Sequence, residues 1–223
     1  MSTSTHDFYD ELVTTSQGFE TATPSEILHW TFERFGANVA MACSFEDVAL
    51  LHILLQQRPK TEIIFLDTLG HFYETYKFVD QIEREWKLNL TRTKPGPDAD
   101  AWPCGTEQCC ALRKVEPLKR AVQGKAAWIT AVKRSDAATR ATMPIVSWDD
   151  KFGLVKVNPL ANWSDDDVAY YLRDQGLPEH PLWAKGYASI GCAAMTVKPA
   201  PGADRRSGRW AGLDKDECGL HEA

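Results

Sequence analysis

The sequence predicts an α/β fold built on a parallel sheet and followed by a long irregular C-terminal arm. Short apolar segments rich in β-branched residues alternate with longer amphipathic segments between residues 36 and 177, which is typical of parallel sheets. After Pro178 this periodicity stops, and Gly, Pro and basic residues become frequent. With 223 residues, the chain is long enough to bury one sizeable core.

Five segments have the length and composition of β-strands, with Val, Ile, Phe or Trp at their centres. In chain order they are NVAMAC (38–43), TEIIFLDT (61–68), LNLTRTKP (88–95), AAWITAVKR (126–134) and GLVKVNPLA (153–161). A loop rich in Pro, Gly and Asp, at 94–108, follows the third of them. Because helical segments separate most of these strands, we expect neighbouring strands to run parallel.

The helices are predicted from their periodicity and their end signals. PSEILHWTFERFG (24–36) begins at Pro24-Ser25 and ends at Gly36, and residues 1–35 as a whole look helical. Three further segments are predicted to form helices: SFEDVALLHILLQQ (44–57, after a turn), YETYKFVDQIEREWK (73–87) and SDDDVAYYLRDQG (164–176). Ser164 is expected to cap the last of these, with acidic residues in its first turn.

These elements divide the chain into three parts of a single domain. Residues 1–35 form a helical extension, residues 36–177 the α/β core and residues 178–223 the arm. The formal net charge of −6 does not indicate nucleic-acid binding, so an anionic ligand requires a local basic cluster. No apolar run has membrane-spanning length and no basic, apolar leader opens the chain, which predicts a cytoplasmic protein without membrane contact. The sequence does not indicate an oligomeric state.

The chain has six cysteines, and their placement indicates metal, cluster or redox chemistry. In a cytosolic protein of this size a disulfide framework is not expected. The cysteines are Cys43, Cys104, Cys109, Cys110, Cys192 and Cys218. Cys218 lies in the terminal segment KDECGLHEA, where burial is poor, so its position favours a thiol that other molecules reach.

Ligands of parallel α/β sheets bind beyond the carboxyl ends of the strands, and three loops lie there. CSFED (43–47) joins a strand to a helix and either receives a phosphate on its amides or is an ordinary turn capped by Ser44. Asp67 and Thr68 end the second strand, where Asp67 either binds ribose hydroxyls or caps a helix. The third loop follows the fourth strand and carries three cations that suit an anion or are solvated surface charges: Lys133, Arg134 and Arg140.

A further basic cluster lies in the arm, in KPAPGADRRSGRW (198–210). Its cations, which stand among glycines, are Lys198, Arg205, Arg206 and Arg209. Because the guanidinium fork matches sulfate and phosphate oxygens, this pattern favours an anion site over a solvated run of charge.

Six stretches of the chain together resemble the sulfonucleotide reductases, the adenylyl-sulfate and phosphoadenylyl-sulfate reductases of sulfate assimilation. They are CCALRKVEPLKRA (109–121), WITAVKRSDAATRA (128–141), KVNPLANWSDDDV (156–168), GYASIGC (186–192), RSGRW (206–210) and ECGLH (217–221). The resemblance runs from about residue 36 to the end. It implies a fold like that of the PP-loop ATP pyrophosphatases, a mostly parallel sheet with helices on both faces.

The resemblance also implies a reaction. The Cys218 thiolate would attack the sulfur of adenosine 5′-phosphosulfate, AMP would leave, and thioredoxin or glutaredoxin would release sulfite from the S-sulfocysteine. Lys114, Arg134, Arg206 and Arg209 would hold the phosphosulfate, and Ser44, Phe45 and Asp67 would line the adenosine side. The further substrate-binding candidates are Thr68, Lys133 and Arg140. Lys215, Arg206 and Arg209 are candidates to lower the pKa of Cys218, and His221 either assists or pairs with a carboxylate.

The cysteines only partly match the family's cluster motif. The adenylyl-sulfate branch carries a 4Fe–4S cluster on a Cys-Cys pair and a later Cys-x-x-Cys, and the phosphoadenylyl-sulfate branch lacks all four. Cys109, Cys110 and Cys192 are present here, but Met195 stands at the fourth position. Three interpretations stay open: a cluster on three thiolates, a cluster with Cys104 as the fourth ligand, or no cluster.

We expect adenosine 5′-phosphosulfate to be the substrate, because the Cys-Cys pair is retained. The alternatives are a phosphoadenylyl-sulfate reductase without a cluster and a relative that binds a sulfonucleotide without catalysis. An adenylating PP-loop enzyme is disfavoured, because CSFED has no glycine.

Overall fold

A computed structural model describes residues 5–213, 215 and 217–221 of the chain. Within these residues the sheet has six strands: Val39–Ala42 (β1), Glu62–Leu66 (β2), Asn89–Thr93 (β3), Ala127–Ile129 (β4), Val146–Asp149 (β5) and Leu154–Val157 (β6). The five predicted strands are present, each shorter than its predicted segment. β5 was not predicted, because VSWD is a short and half-polar segment.

The strand order is β3-β2-β1-β4-β6-β5, and the sheet is mostly parallel, as predicted. All neighbouring strands pair in parallel except β5, which pairs antiparallel with β6 through a short hairpin. Gly153 takes a φ of +71° in that hairpin, a conformation that favours glycine. The chain builds outward from β1 through β2 to β3 and then returns to place β4 on the other side of β1. This reversal opens a crevice at the carboxyl ends of β1 and β4.

Seven α-helices lie among the described residues, and all but the fifth and sixth were predicted. They are Thr5–Gly18 (α1), Pro24–Phe35 (α2), Ala49–Gln57 (α3), Tyr73–Trp86 (α4), Glu107–Cys110 (α5), Glu116–Ala121 (α6) and Asp165–Asp174 (α7). Ser164 caps α7 as expected, since its side chain accepts a hydrogen bond from the Asp167 amide at 3.1 Å. Gly36 follows the last residue of α2, as the sequence indicates.

Helical structure from Glu107 to Ala121 was not predicted, because Pro117 obscures its periodicity. A proline lacks the N–H that a helix needs and its ring crowds the carbonyl four residues earlier. The chain accommodates Pro117 by widening the preceding turn into a π-helix, Ala111–Val115, in which the Glu116 amide donates to Ala111 O. The resulting helical segment carries Cys109, Cys110 and Lys114 towards the carboxyl edge of the sheet.

Side chains of the strands alternate between two buried clusters, one on each face of the sheet. One cluster contains Met41, Phe65 and the apolar side chains of α2, α3, α4 and α7. The other contains Ile64, Trp128 and Leu118 from α6. Helices therefore cover both faces, as predicted.

The arm is irregular along most of its described length, as expected. Residues 178–213 contain one short 3-10 turn, Ala193–Met195. Leu12, Ile27 and Leu28 from α1 and α2 belong to the main core cluster, so the N-terminal helices share the core of the sheet. Division of the chain at residues 35 and 177 stays a prediction, and residues 1–4, 214, 216, 222 and 223 of its outer segments lie outside the described residues. No helix among the described residues is both long and apolar enough to span a membrane.

Candidate active site

A cavity of about 210 Å³ lies at the crevice where the strand order reverses. Its walls come from the carboxyl ends of β1, β2 and β4, from the arm and from the C-terminal tail. Ten of the predicted site residues line it: Ser44, Thr68, Lys114, Lys133, Arg140, Cys192, Arg206, Arg209, Cys218 and His221. The fold therefore brings together residues that are up to 177 positions apart in sequence, from Ser44 to His221.

Phe45, Asp67 and Arg134 were predicted as substrate-binding residues, and they are not among the residues that line this cavity. Phe45 is fully buried and packs edge-to-face on Phe65, with ring centroids 5.7 Å apart. Its φ of +58° turns the side chain into the core and leaves neighbouring Ser44 at the cavity.

Asp67 makes hydrogen bonds within its own loop instead. Its carboxylate accepts from the Tyr76 hydroxyl at 2.8 Å and from the Leu69 amide at 3.1 Å. It therefore orders the turn after β2 rather than capping α4, which begins after Phe72. That turn holds Thr68 at the cavity wall, where Thr68 Oγ1 lies 3.5 Å from Cys192 Sγ.

Arg134 points away from the cavity, towards the N-terminal helices. Its guanidinium donates to the Glu20 carboxylate at 2.7 and 2.8 Å and to Met143 O at 2.8 Å. Lys133, the preceding residue of the same loop, has the opposite orientation. Its side chain lies at the cavity and pairs with Asp136 at 2.8 Å. Arg140 Nη1 also contacts Asp136, at 3.1 Å.

The CSFED loop does not offer a bare helix N-terminus to an anion. The Asp47 carboxylate accepts from the Ala49 amide at 3.0 Å, and α3 begins only at Ala49. Ser44 is not the cap of α3 either; its hydroxyl accepts from the Glu46 amide at 3.3 Å. Anion binding at this cavity must therefore depend mainly on side-chain cations.

The arm supplies those cations on an aromatic support. The guanidinium carbon of Arg209 lies 4.6 Å from the centroid of Trp210, that of Arg206 5.7 Å, and Lys114 Nζ 5.9 Å. Arg209 packs directly on Gly191, where a Cβ would overlap its guanidinium. The indole thus gathers three cations at one side of the cavity.

Arg205 has a different role from its two neighbours in the basic cluster. It is ion-paired with Glu46 and with Asp165, and it donates to Ala188 O at 2.5 Å. These bonds fasten the arm to the loop after β1 and to the start of α7. Lys198, the remaining cation of the cluster, lies 5.6 Å from the Tyr187 ring centroid.

The C-terminal tail closes the cavity from the other side. Glu217 pairs with Arg140 through two hydrogen bonds, at 2.7 and 2.6 Å, and both side chains are more than 90% buried. Leu220 packs against the second core cluster. The His221 ring stacks on Trp128, with an interplanar angle of 7° and a centroid distance of 5.9 Å.

His221 is not paired with a carboxylate among the described residues, and its Nδ1 is buried without a hydrogen-bond partner there. Burial lowers the pKa of the His221 imidazole well below its ordinary value, and the nearby cations Lys156 and Arg140 add to that decrease. The ring is therefore neutral near pH 7, with an unsatisfied polar atom at the cavity.

Cys218 is half-buried at the cavity wall between the tail and Lys114. Burial by itself raises the pKa of the Cys218 thiol, but the Lys114 ammonium and the Leu220 amide outweigh it, so that the pKa lies below its ordinary value. Arg209 acts in the same direction, whereas Glu217 opposes it. Burial alone lowers the pKa of Lys114, but the nearby Cys218, Cys192 and Cys110 thiolates raise it above the usual value. By contrast, burial raises the pKa of Cys43 to about 12.

Lys215, one of the candidates to activate Cys218, reaches a second cluster of cysteines. Its ammonium lies 3.4 Å from Cys110 Sγ and donates to Gly105 O at 3.2 Å. A cavity of about 10 Å³ adjoins these atoms, and its sulfur-bearing lining residues are Cys104, Cys109, Cys110, Cys192 and Met195. All six cysteines lie within the described residues and are free thiols.

Three acidic residues of the cavity wall that form ion pairs were not predicted as site residues: Glu46, Asp136 and Glu217. Glu46 pairs with Arg205 and Glu217 with Arg140, which are distant in sequence, whereas Asp136 pairs with Lys133 and Arg140 of its own loop region. Glu46 and Glu217 stand next to the predicted site residues Phe45 and Cys218, which was the signal available in the sequence. Their partners are fixed only by tertiary structure.

Comparison with known proteins identifies a matching domain family. Residues 37–198 match the model of the phosphoadenosine phosphosulfate reductase domain. The chain is 44% identical over 211 residues to adenosine 5′-phosphosulfate reductase of Mycolicibacterium smegmatis, covering 90% of this chain and 89% of that protein. It is 42% identical to the protein of the same name in Rhodococcus opacus, covering 91% and 90% of the two chains.

Solved structures agree in fold. A phosphoadenylyl-sulfate reductase from Candida auris, crystallised as a phosphate complex, superposes with a TM-score of 0.74 at 27% identity, covering 88% of this chain and 99% of that one. Candida glabrata FMN adenylyltransferase superposes with a TM-score of 0.65 at 15% identity, covering 85% and 68%. A Campylobacter jejuni NAD synthetase has a TM-score of 0.53 at 10% identity, covering 75% and 76%. The latter two show the fold alone, and they confirm the predicted PP-loop ATP pyrophosphatase-like architecture.

Proposed function

The chain belongs to the sulfonucleotide reductase family, and from that membership we propose that it reduces adenosine 5′-phosphosulfate to sulfite and AMP through Cys218. One observation carries the proposal: a thiol with a lowered pKa lies at the wall of a cation-lined cavity at the strand-order reversal. Such a cavity suits a nucleotide with two adjacent anionic groups. Adenosine 5′-phosphosulfate is preferred over its 3′-phosphorylated form because the relatives that share 42–44% identity with the chain carry that name.

The phosphosulfate is assigned to the side of the cavity formed by Arg206, Arg209 and Lys114. These cations share the Trp210 ring as a support, so their positions are fixed before the substrate arrives. Arginine forks can grip two oxygens of a phosphate or sulfate at once. Preorganised cations also stabilise charge that develops during the reaction without having to reorganise.

In the first step the Cys218 thiolate attacks the sulfur of the sulfate group. A bond forms between Cys218 Sγ and that sulfur, and the bond between the sulfur and the bridging oxygen breaks. The electron pair of the broken bond stays on the oxygen, so AMP leaves as a phosphate with one more negative charge. Lys114 and Arg209 lower the pKa of Cys218, and we assign to them the stabilisation of both the thiolate and the departing oxygen.

In the second step a dithiol protein such as thioredoxin or glutaredoxin reduces the adduct. Its thiolate attacks Cys218 Sγ, sulfite leaves with the electron pair of the sulfur–sulfur bond, and a mixed disulfide forms. The second thiol of the donor resolves that disulfide, so the donor is oxidised by two electrons and Cys218 is regenerated. We assign this reaction to the cytoplasm, where dithiol donors are kept reduced.

A partner protein can reach Cys218 only if the tail leaves the cavity. The tail is held by contacts that are strong but few: the ion pair of Glu217 with Arg140, the packing of Leu220 and the stacking of His221. We propose that the docked tail presents Cys218 to the nucleotide and that the released tail presents the adduct to the reductant.

The cysteine donor set also fits the cluster that the family implies. Thiolates are the normal ligands of iron–sulfur clusters, and four thiols line the small second cavity together with the cations Lys114, Arg113 and Arg209. When bound, a cluster would tie the helical segment of Cys109 to the arm and place an anionic group behind Lys114. A cluster on these thiols would accord with the adenosine 5′-phosphosulfate branch of the family.

Sulfite release tests the proposal. The protein is incubated anaerobically with reduced thioredoxin and either adenosine 5′-phosphosulfate or its 3′-phosphorylated form. We expect sulfite from the former, none from Cys218→Ser, and unchanged nucleotide affinity in that variant. A preference for the 3′-phosphorylated nucleotide would assign the enzyme to the phosphoadenylyl-sulfate branch of the family. Nucleotide binding without sulfite from either compound would contradict the catalytic role of Cys218.

A further inference from the structure

Five sulfur atoms belong to residues that surround the small cavity next to the active site, and four of them can become thiolates. Cys109 and Cys110 come from α5, Cys192 from the arm and Cys104 from the loop before α5. The fifth belongs to Met195. We propose that Cys104, Cys109, Cys110 and Cys192 are the four ligands of an iron–sulfur cluster, and that Cys104 takes the place that Met195 cannot fill. The inference rests on the proposed function, because membership of the reductase family is what makes a cluster expected.

The loop that carries Cys104 packs directly on Met195. Gly105 has a φ of +97°, and a Cβ at this residue would lie 2.5 Å from Met195 Sδ. Only glycine combines that backbone conformation with so close an approach. Cys104 and the usual position of the fourth ligand therefore border the same corner of the cavity, although they are 91 residues apart.

Local hydrogen bonds fix Cys104 relative to Cys109. Cys104 and Gly105 form the centre of a turn in which the Thr106 amide donates to Pro103 O at 3.3 Å. Thr106 then caps α5, since its hydroxyl accepts from the Cys109 amide at 3.2 Å. The turn and the cap are thus one continuous structure, which holds Cys104 at the start of the helix that carries the cysteine pair.

The other side of the cavity is held just as firmly. Cys192 forms an antiparallel bridge with His71, and the Ala193 amide donates to Gly70 O at 2.7 Å. Cys192 Sγ lies 3.5 Å from Thr68 Oγ1. The arm therefore places Cys192 against the end of β2, facing the cysteines of α5 across the cavity.

Ligand chemistry distinguishes the cysteines from Met195. A thioether is neutral and binds iron weakly, whereas a thiolate is the normal ligand of these clusters. Cations also surround these sulfur atoms, because Arg113, Lys114 and Arg209 line the cavity and Lys215 Nζ lies 3.4 Å from Cys110 Sγ. An anionic cluster would therefore meet positive charge at this site. Met195 gains nothing from these charges.

The arrangement suits a polynuclear cluster rather than a single ion. Among the described residues, no three His, Cys, Asp or Glu side chains converge as the ligands of one metal ion. Cys109 and Cys110 are adjacent on a helix, so their side chains diverge by roughly 100° around its axis. Divergent thiolates cannot share one tetrahedral ion but can bind different irons of one cluster.

Iron and acid-labile sulfide content of anaerobically purified full-length protein tests this ligand set without depending on activity. We expect about four irons and four sulfides per chain in the wild type, as in a 4Fe–4S protein, with a broad visible absorption band. Cys104→Ser should retain less than half of that iron. The double variant Cys104→Ser/Met195→Cys should recover it, because a thiolate then stands at the usual fourth position. Cys43→Ala, which removes a buried thiol outside the cluster cavity, serves as the matched control and should keep its iron.

Two results would overturn the inference. Cys104→Ser with wild-type iron and sulfide would show that Cys104 is not a ligand, and a wild type that holds no cluster after anaerobic reconstitution would show that no such site exists. Circular dichroism of each variant separates loss of the cluster from loss of the fold. Sulfite formation is measured separately: sulfite without iron would overturn the ligand set alone, and iron without sulfite would overturn the proposed activity alone.

Discussion

Glu217 and Arg140 form a buried, two-bond ion pair that docks the C-terminal tail into the cavity. The carboxylate accepts from Arg140 Nε at 2.7 Å and from Nη2 at 2.6 Å, and Arg206 Nη2 lies 3.6 Å from the same carboxylate. An anionic side chain next to Cys218 thus contacts Arg140 and Arg206, two of the cations that we propose as the anion site. Docking of the tail and binding of an anion are therefore linked through Arg140 and Arg206.

Removing the Glu217 carboxylate should release the tail. In Glu217→Gln the charge-assisted pair is lost, and breaking one partner of a buried pair typically costs about 3–5 kcal/mol. We expect Cys218 to react several-fold faster with a bulky maleimide than in the wild type. Loss of Glu217 also lowers the pKa of Cys218, so the rates are compared well above pH 9.0, the ordinary pKa of the thiol, where both proteins are thiolates. Arg84→Ala, an exposed change on α4, is the control, and equal rates in the wild type and Glu217→Gln would contradict docking by this pair.

The reactivity of Cys218 should depend on pH through Lys114. Because the ammonium favours the thiolate, the rate of alkylation by iodoacetamide should rise with pH to a midpoint below 9.0. Lys114→Gln removes that charge, so the midpoint should move to higher pH. If the same cation stabilises the departing AMP, sulfite formation should also fall by about 100-fold. An unchanged midpoint in Lys114→Gln would mean that other groups set the pKa of Cys218.

A methyl group at Gly191 should disturb the anion site by displacing Arg209. A Cβ there would overlap the guanidinium of Arg209, which has to leave the Trp210 ring. We expect Gly191→Ala to weaken adenosine 5′-phosphosulfate binding at least tenfold, measured by calorimetry with Cys218→Ser as background. Gly96→Ala is the matched control, because it has open space around its Cβ and an ordinary φ of −71°. Equal affinities of Gly191→Ala and Gly96→Ala for adenosine 5′-phosphosulfate would show that Arg209 does not contribute to binding.

His180 should make the folded protein sensitive to acid. Burial lowers the pKa of its imidazole from 6.5 to about 4, while the ring bonds to Thr75 Oγ1 at 3.1 Å and to the Leu182 amide at 3.1 Å. The unfolded chain therefore binds the proton more tightly than the folded protein, so the free energy of unfolding falls as the pH decreases from 6.5 towards 4. The loss attributable to His180 should approach about 3 kcal/mol near pH 4.

Urea unfolding at several pH values measures that loss. Other groups also titrate in this window, so the relevant quantity is the difference in slope between the wild type and His180→Gln. The variant should show a shallower pH dependence than the wild type. Parallel curves would mean that His180 does not carry the effect.

The sequence predicted those elements whose signals are local. Strands such as β2 and helices such as α4 follow from hydrophobic periodicity, and the cap of α7 follows from Ser164 and the acids after it. β5 and the helical segment from Glu107 to Ala121 were not predicted, for two different reasons. The first is too short and polar to show a period, and the second contains a proline that interrupts the helical pattern and follows a π-helical turn.

The sequence identified candidate residues by their chemical type, but it did not give the orientation of their side chains. Lys133 and Arg134 are neighbours in a basic loop, yet one lies at the cavity and the other pairs with Glu20 of the preceding helical region. Phe45 belongs to a loop at the cavity, but its backbone turns the ring into the core. Successive side chains of an extended segment point in opposite directions, so a pattern of residue types alone cannot choose between them.

The sequence by itself determined the fold class, the family and the presence of a terminal thiol among basic motifs, because each depends on local composition and on short contiguous stretches. Tertiary structure alone decided which charges meet: Glu217 with Arg140, Lys114 with Cys218, and Cys104 with the corner beside Met195. Electrostatic and ligand interactions act over a few ångströms of space, whatever the separation along the chain. Only the folded path of the arm and tail brings these groups close enough to interact.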